Sequence, residues 1–186
     1  MTVAKPTSVT LEEFLALPET KPASEYIDGE VIQKPMPKAR HSRLQGKLTD
    51  AINRVAEEQR IAYAFPELRC TFAGRSIVPD SAVLRWEQIQ FNEDGEPVDD
   101  VCVAPAWTIE ILSPEQSPNR VTGSILHCLK QGCELGWLVD PGDRSILVFL
   151  PQQQPELRHG NDALTVLDGV ELQLTAEQIF SWLTMG

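Results

Sequence analysis

Two carboxylates lie inside stretches that otherwise read as apolar strands. Asp80 follows Pro79 in the run from Ile77 to Trp86, and Glu110 sits between Ile109 and Ile111 in the segment Trp-Thr-Ile-Glu-Ile-Leu-Ser-Pro. A carboxylate in a central strand is costly to bury unless it is paired, protonated or bound to a cation. Two of them on neighbouring strands would form an oxygen-rich site suited to Mg²⁺ or Mn²⁺. The residues alone leave a plainer reading open, in which Asp80 caps a turn and Glu110 points outward from an edge strand.

The remaining chemistry-bearing residues are unevenly placed. A net charge of −11 argues against a protein that coats nucleic acid nonspecifically, because phosphate neutralisation needs Lys and Arg. Yet Val31 to Thr49 carries Lys34, Lys38, Arg40, Arg43 and Lys47 with His41 and no acid, whereas Glu87 to Asp100 is acidic without a single base. Either a solvated face or a binding surface explains such polarity. As a binding surface, Lys38, Arg40, Arg43 and Lys47, with Lys34, would meet a phosphate backbone and give affinity without sequence choice. His41 opens the same segment in register with Leu44 or Gln45 and Leu48, so it faces inward or toward a site; a partly buried helix-terminal histidine is the plainer reading. Cys70, Cys102, Cys128 and Cys133 match neither zinc nor redox spacing and are expected reduced and mostly buried. The four tryptophans are expected in core or interface.

These residues need a scaffold, and the pattern supplies one. Thr10 and Glu13 form a capping-box signature before a short helix that Pro18 ends. Glu25 to Ile32 reads as a β-hairpin around Asp28-Gly29. Leu44, Leu48, Ile52 and Val55 recur at helical spacing between about Arg40 and Gln59. Strands follow near Ala62 to Phe65, Leu68 to Phe72 and Ile77 to Trp86, the last with Val78, Asp80, Ala82 and Leu84 on one face. After an acidic loop come a strand over Ala106 to Ser113, a helix over Asn119 to Gln131, a central strand over Leu135 to Val139 and a partner strand over Ser145 to Leu150. The strand-helix-strand run predicts a parallel pair with a right-handed crossover. Gln152 to Gln154 reads as surface loop, and a last strand pair around Asp168-Gly169 precedes a helix opened by Thr175 and Gln178. The fold class is α/β (α+β mixed sheet). At 186 residues one domain over 1–186 is expected, with its core at about 10–150 and a C-terminal strand pair and helix in 151–186. No apolar run approaches the ~20 residues that cross a bilayer, and the start lacks a secretory stretch, so no membrane association and a cytoplasmic location are expected.

Four blocks of sequence, in order, resemble the Uma-two family of the PD-(D/E)xK nucleases: Glu25-Tyr-Ile-Asp-Gly-Glu with its following prolyl loop and His41, Val78 to Leu84, Ile109 to Pro114, and Gly136 to Pro141. The resemblance implies a restriction-endonuclease-like core, a mixed sheet with flanking helices and an N-terminal β-hairpin. It also implies that Asp80 and Glu110 ligate Mg²⁺, with the backbone carbonyl of Ile111 as third ligand. Glu25 matches the family's early glutamate, which would complete the coordination or orient a water. The departure is at the lysine. Two residues after Glu110 stands Leu112, and the family's other positions, on the following helix, fall on Ser124 and, one turn earlier, Arg120. Lys130 lies about 240° around the helix from Ser124, so Arg120, which shares Ser124's face, is the better substitute.

Two functions follow. One is a Mg²⁺-dependent endonuclease (Mn²⁺ as the other candidate metal) acting on DNA through Asp80, Glu110 and Glu25 with Arg120 or His41 assisting, slow for want of the lysine. The other is a degenerate nuclease fold that binds DNA or a protein partner. A homodimer is expected of a nuclease that cuts both strands.

Overall fold

The computed structural model describes residues 9–186. Its elements are, in chain order, α1 (Leu11–Leu15), the hairpin strands β1 (Ser24–Ile27) and β2 (Glu30–Gln33), α2 (Ala39–Ala56), β3 (Ala62–Pro66), β4 (Cys70–Phe72), β5 (Arg75–Ile77) and β6 (Ser81–Arg85). There follow β7 (Trp107–Ile111), α3 (Pro118–Lys130), β8 (Leu135–Asp140), β9 (Ser145–Phe149), β10 (Glu156–His159) and α4 (Ala176–Ser181). They build a six-stranded sheet in the order β10-β9-β8-β7-β6-β3 and a four-stranded sheet in the order β2-β1-β5-β4. Within the large sheet only β7 and β8 run parallel, joined across α3, which is the crossover the sequence predicts. The hairpin turns at Asp28 and Gly29, whose φ angles of 52° and 90° suit a tight two-residue loop between twisted strands.

Alternation along the strands divides the large sheet into two packed faces. Trp107, Ile109 and Ile111 join Leu44, Leu48 and Ile52 of α2 and Ile179 and Phe180 of α4 in the main core. Within it Trp107 and Trp137 meet edge to face at 4.7 Å, and both are fully buried. On the opposite face Val121 and Ile125 of α3 pack with Leu138 and Phe149. Glu110 alternates with Ile109 and Ile111 and therefore lies on the α3 side. All four cysteines are free and three are buried. No helix among the described residues is long and apolar enough to cross a membrane.

Close packing of α3 depends on Gly136. A Cβ built there would lie 2.4 Å from Cγ2 of Ile125, well inside contact distance. Gly136→Ala is expected to destabilise the protein by about 1–3 kcal/mol, read as a lower urea midpoint with an unchanged slope.

The structure departs from expectation in two places. The single strand expected over Ile77 to Trp86 is two strands in different sheets, β5 and β6, because Pro79 offers no N–H to continue the ladder. No strand pair forms around Asp168-Gly169. That segment makes one isolated bridge, Ala163 to Thr175, and packs Leu164, Leu167 and Val170 irregularly onto the core. The last strand is instead β10, paired with β9 across the Gln152 turn. As an edge strand with an exposed, charged face it needs no apolar alternation, and so it left no pattern to read.

Candidate active site

Pro79 also creates the first half of the site. Where the chain leaves one sheet for the other, Asp80 turns its carboxylate inward and is 2% exposed. Its backbone carbonyl accepts the Gln45 side-chain amide of α2 at 2.7 Å, which fixes the bend to the helix. Its Oδ2 accepts the backbone N–H of Ile111 at 2.7 Å and lies 3.1 Å from Nε2 of His41. The β6–β7 register, Ser81 opposite Ile109, would place Ile111 opposite Pro79. A strand residue's N–H and C=O point to the same neighbour, so the Ile111 carbonyl also faces Asp80, where proline has no N–H to offer it.

Glu110, 4% exposed, is the penultimate residue of β7. Glu25 comes from β1, and its Oε1 accepts the N–H of Val78 at 2.8 Å, tying the hairpin to the chain just before Asp80. Three carboxylates from three distant segments thus approach one region. They do so around a fourth residue that the sequence reading assigned elsewhere.

Lys34, expected among the phosphate-facing cations, is drawn inside. Its Nζ donates to Oδ1 of Asp80 at 2.7 Å, to the carbonyl of Val78 at 2.7 Å and to Oε2 of Glu110 at 3.4 Å, with its side chain 13% exposed. Burial alone would depress the lysine, but the charges of Glu110, Asp80 and Glu25 hold it protonated, above the usual lysine range. Burial likewise opposes ionisation of Asp80, yet Lys34 and the His41 hydrogen bond prevail and draw it down to about 2. Glu110 goes the other way. Burial, with the charges of Asp80 and Glu25, pushes it up to about 8 against the pull of Lys34. Burial, with Asp80, raises Glu25 as well, although Lys34 and the Val78 N–H favour its ionised form. The cluster therefore pairs Asp80 with the Lys34 ammonium beside a glutamate whose burial and acidic neighbours favour its protonated form.

The other expected site residues are distributed around this centre. A cavity of about 310 Å³ is lined by Glu25, Lys34, Glu110, Arg120 and Ser124, so Arg120 shares it with two of the three carboxylates, and Asp80 lies outside it. A second, of about 380 Å³, holds Lys34, His41 and Asp80. Lys34, Pro35 and Gln116 border both. Of the four residues read as phosphate contacts, Lys47 is exposed on α2, and Lys38 forms a surface ion pair with Glu115. Arg40 donates to the Pro141 carbonyl at 2.7 Å, and Arg43 donates to the carbonyl of Trp182, docking the C-terminal end onto α2.

Comparison with known proteins fits this geometry. The family model Uma2, described as "Putative restriction endonuclease", matches residues 11–177, nearly the whole chain. The chain belongs to the Uma2 family. A crystal structure of a "putative nuclease" belonging to DUF820 from Anabaena variabilis superposes with a TM-score of 0.91 at 51% identity, covering 95% of this chain and 99% of that one. The fold is restriction-endonuclease-like. No curated protein matches. Within this Uma2 chain, no three His, Cys, Asp or Glu side chains among the described residues already stand as a metal-holding group. Asp80 and Glu110 close on the Lys34 ammonium instead. The donor set nonetheless suits a hard divalent cation: it is oxygen-only, and three carboxylates outnumber the one buried lysine among them.

Proposed function

We propose that the protein is a divalent-metal-dependent endonuclease that hydrolyses DNA phosphodiester bonds, with Mg²⁺ or Mn²⁺ as the ion. The observation that carries the reading is the convergence of buried carboxylates from separate segments: Asp80 and Glu110 both reach the Lys34 ammonium, at 2.7 Å and 3.4 Å, and Glu25 lines the same cavity as Glu110. Membership of the Uma2 family and the likeness to the Anabaena protein support it. Asp80, Glu110 and the Ile111 carbonyl would hold the ion, and Glu25 would complete its shell or orient a water. A bound divalent cation supplies a water of lowered pKa and charge compensation for the scissile phosphate. In the hydrolysis a water's hydroxyl bonds to phosphorus, the bond from phosphorus to one sugar oxygen breaks, and the departing oxygen takes the proton.

The chain's own part is placement. His41 acts through Asp80 as a positioning residue: its Nε2 lies 3.1 Å from Oδ2, the same oxygen that accepts the Ile111 N–H. Arg120 and Lys47 are exposed and offer charge to a phosphate backbone. Supercoiled plasmid and single-stranded DNA incubated with the protein test the reading. Nicking or linearisation is expected with Mg²⁺ or Mn²⁺ and none with chelator. Salt-sensitive DNA binding without scission in either metal would overturn it and leave a binding module.

A further inference from the structure

We infer that Lys34, at the end of the hairpin, is the cation this chain presents to the scissile phosphate, in place of a lysine on β7 or α3. The inference rests on the nuclease reading above. Just past β7 the residue two beyond Glu110 is Leu112, and on α3 the cavity side offers Ser124 and Arg120. Lys34 is the lysine whose ammonium reaches both Asp80 and Glu110.

Hairpin geometry puts it there. The two-residue turn pairs Ile27 with Glu30 and therefore Glu25 with Ile32. The N–H of Lys34 donates to the Ala23 carbonyl at 2.9 Å, carrying the ladder one step past β2. Side chains alternate along a strand, so Glu25, Ile32 and Lys34 leave the hairpin on one face, the face that meets Val78 and Asp80. Pro35 follows at once and turns the chain away.

Two further features mark Lys34 as more than a tether between sheets. It stands at the seam of the two cavities and forms part of the wall of each, beside Glu110 in one and beside Asp80 in the other. Its three donors are committed unequally: the bonds to Val78 and Asp80 are 2.7 Å, whereas the contact to Glu110 is 3.4 Å. That loosest donor is the one a phosphate oxygen would take, while the other two keep the ammonium aimed. A lysine is a compact point charge with rotatable donors, which suits such an exchange.

The test compares Lys34→Ala, Lys34→Met and wild type in three measurements: Mn²⁺ affinity by calorimetry, melting in chelator, and DNA cleavage with and without added methylammonium. Cleavage is expected to fall about 10²- to 10³-fold in both variants. Mn²⁺ binding is expected to stay as tight as in wild type or become tighter, since a competing positive charge is gone. Methylammonium is expected to restore part of the rate in Lys34→Ala, whose truncation leaves room for it, and to leave wild type unchanged. Should Lys34→Ala fail to fold, Lys34→Met fills the space and carries the rate comparison. Variants that cut at the wild-type rate would overturn the inference while the nuclease reading stands. So would variants that lose Mn²⁺ binding together with cleavage and show no amine rescue, which would make Lys34 a structural tether. A wild type that cuts DNA in neither metal overturns both.

Discussion

Asp80→Asn is expected to lower metal-dependent cleavage by about 10²- to 10³-fold or more and to destabilise the protein at the same time. The carboxylate serves two clients with two oxygens. Oδ1 pairs with Lys34, and Oδ2 takes the Ile111 N–H and faces His41. Asparagine keeps one acceptor oxygen and loses the charge, so the proposed metal would lose an anionic ligand and the buried ammonium loses its nearest carboxylate partner. Breaking one side of a buried ion pair costs about 3–5 kcal/mol when nothing replaces it. Glu110 remains within reach of Lys34, which places the expected loss at or below the lower end of that range. The charge of Asp80 also has a signed pH dependence. Its folded value lies below the ordinary 3.8, so its contribution is present at neutral pH and is lost as pH falls through 3.8 toward 2. Urea unfolding at pH 7 and at pH 3 checks this: the variant is expected to be the weaker protein at pH 7, with the difference shrinking in acid. A variant that cuts DNA at the wild-type rate would remove Asp80 from the site.

Glu110→Gln is expected to remove cleavage as completely as Asp80→Asn while making the metal-free protein more stable above neutral pH. Glu110 is a carboxyl whose folded value is raised, to about 8 from 4.5. The sign is therefore opposite to that of Asp80. Its contribution is full below about 4.5 and drains away as pH climbs to about 8, because ionising it places a third negative charge among Asp80 and Glu25. Glutamine has the shape of the protonated acid and never ionises. In chelator, wild type is expected to melt lower at pH 9 than at pH 6, and Glu110→Gln to flatten most of that slope. The residual slope belongs to Glu25, which is raised in the same direction. With about 2–4 °C per kcal/mol for a chain of this size, the effect is measurable by ordinary thermal scans. Mg²⁺ should raise the wild-type melting temperature most at the alkaline end and leave Glu110→Gln nearly unmoved. Two variants equally dead in cleavage but moved in opposite directions in alkaline stability would separate the two carboxylates. Equal slopes in wild type and Glu110→Gln would refute the assignment of Glu110 as the proton-holding acid.

What the sequence made legible was whatever leaves a local periodicity or a local cost. Asp80 and Glu110 stood out because a carboxylate among isoleucines and valines must have a reason, and both proved buried in the cluster. Leu44, Leu48 and Ile52 announced α2 by spacing, Asp28-Gly29 announced the hairpin, and the parallel β7–β8 pair followed from the connection between them. Pro79 carried a visible signal that the apolar alternation from Ile77 to Leu84 masked: the pattern ran on through a residue that cannot extend a ladder. Lys34 carried almost none. A lysine between Gln33 and Pro35 looks like part of a solvated basic run, and its partners lie 46 and 76 residues away. Only the hairpin register, extended one residue beyond Gln33 to set Lys34 on the face of Glu25, would have pointed inward. Arg40 and Arg43 show the converse, since half of the apparent phosphate surface is engaged in holding backbone carbonyls.

The bend at Pro79 has a consequence for how far the protein can be divided. Glu25 and Lys34 are delivered by the hairpin of the four-stranded sheet, Glu110 by the six-stranded one, and Asp80 by the crossing between them. Each contact of the ammonium with a carboxylate closes a loop of at least 46 residues, so neither is held by its own neighbourhood. The hairpin alone carries Glu25 and Lys34 with nothing to face, and the strand-helix-strand unit carries Glu110 without its partners. The proposed site is consequently indivisible: a fragment or transplant that separates the two sheets is expected to lose it, however faithfully it preserves every motif.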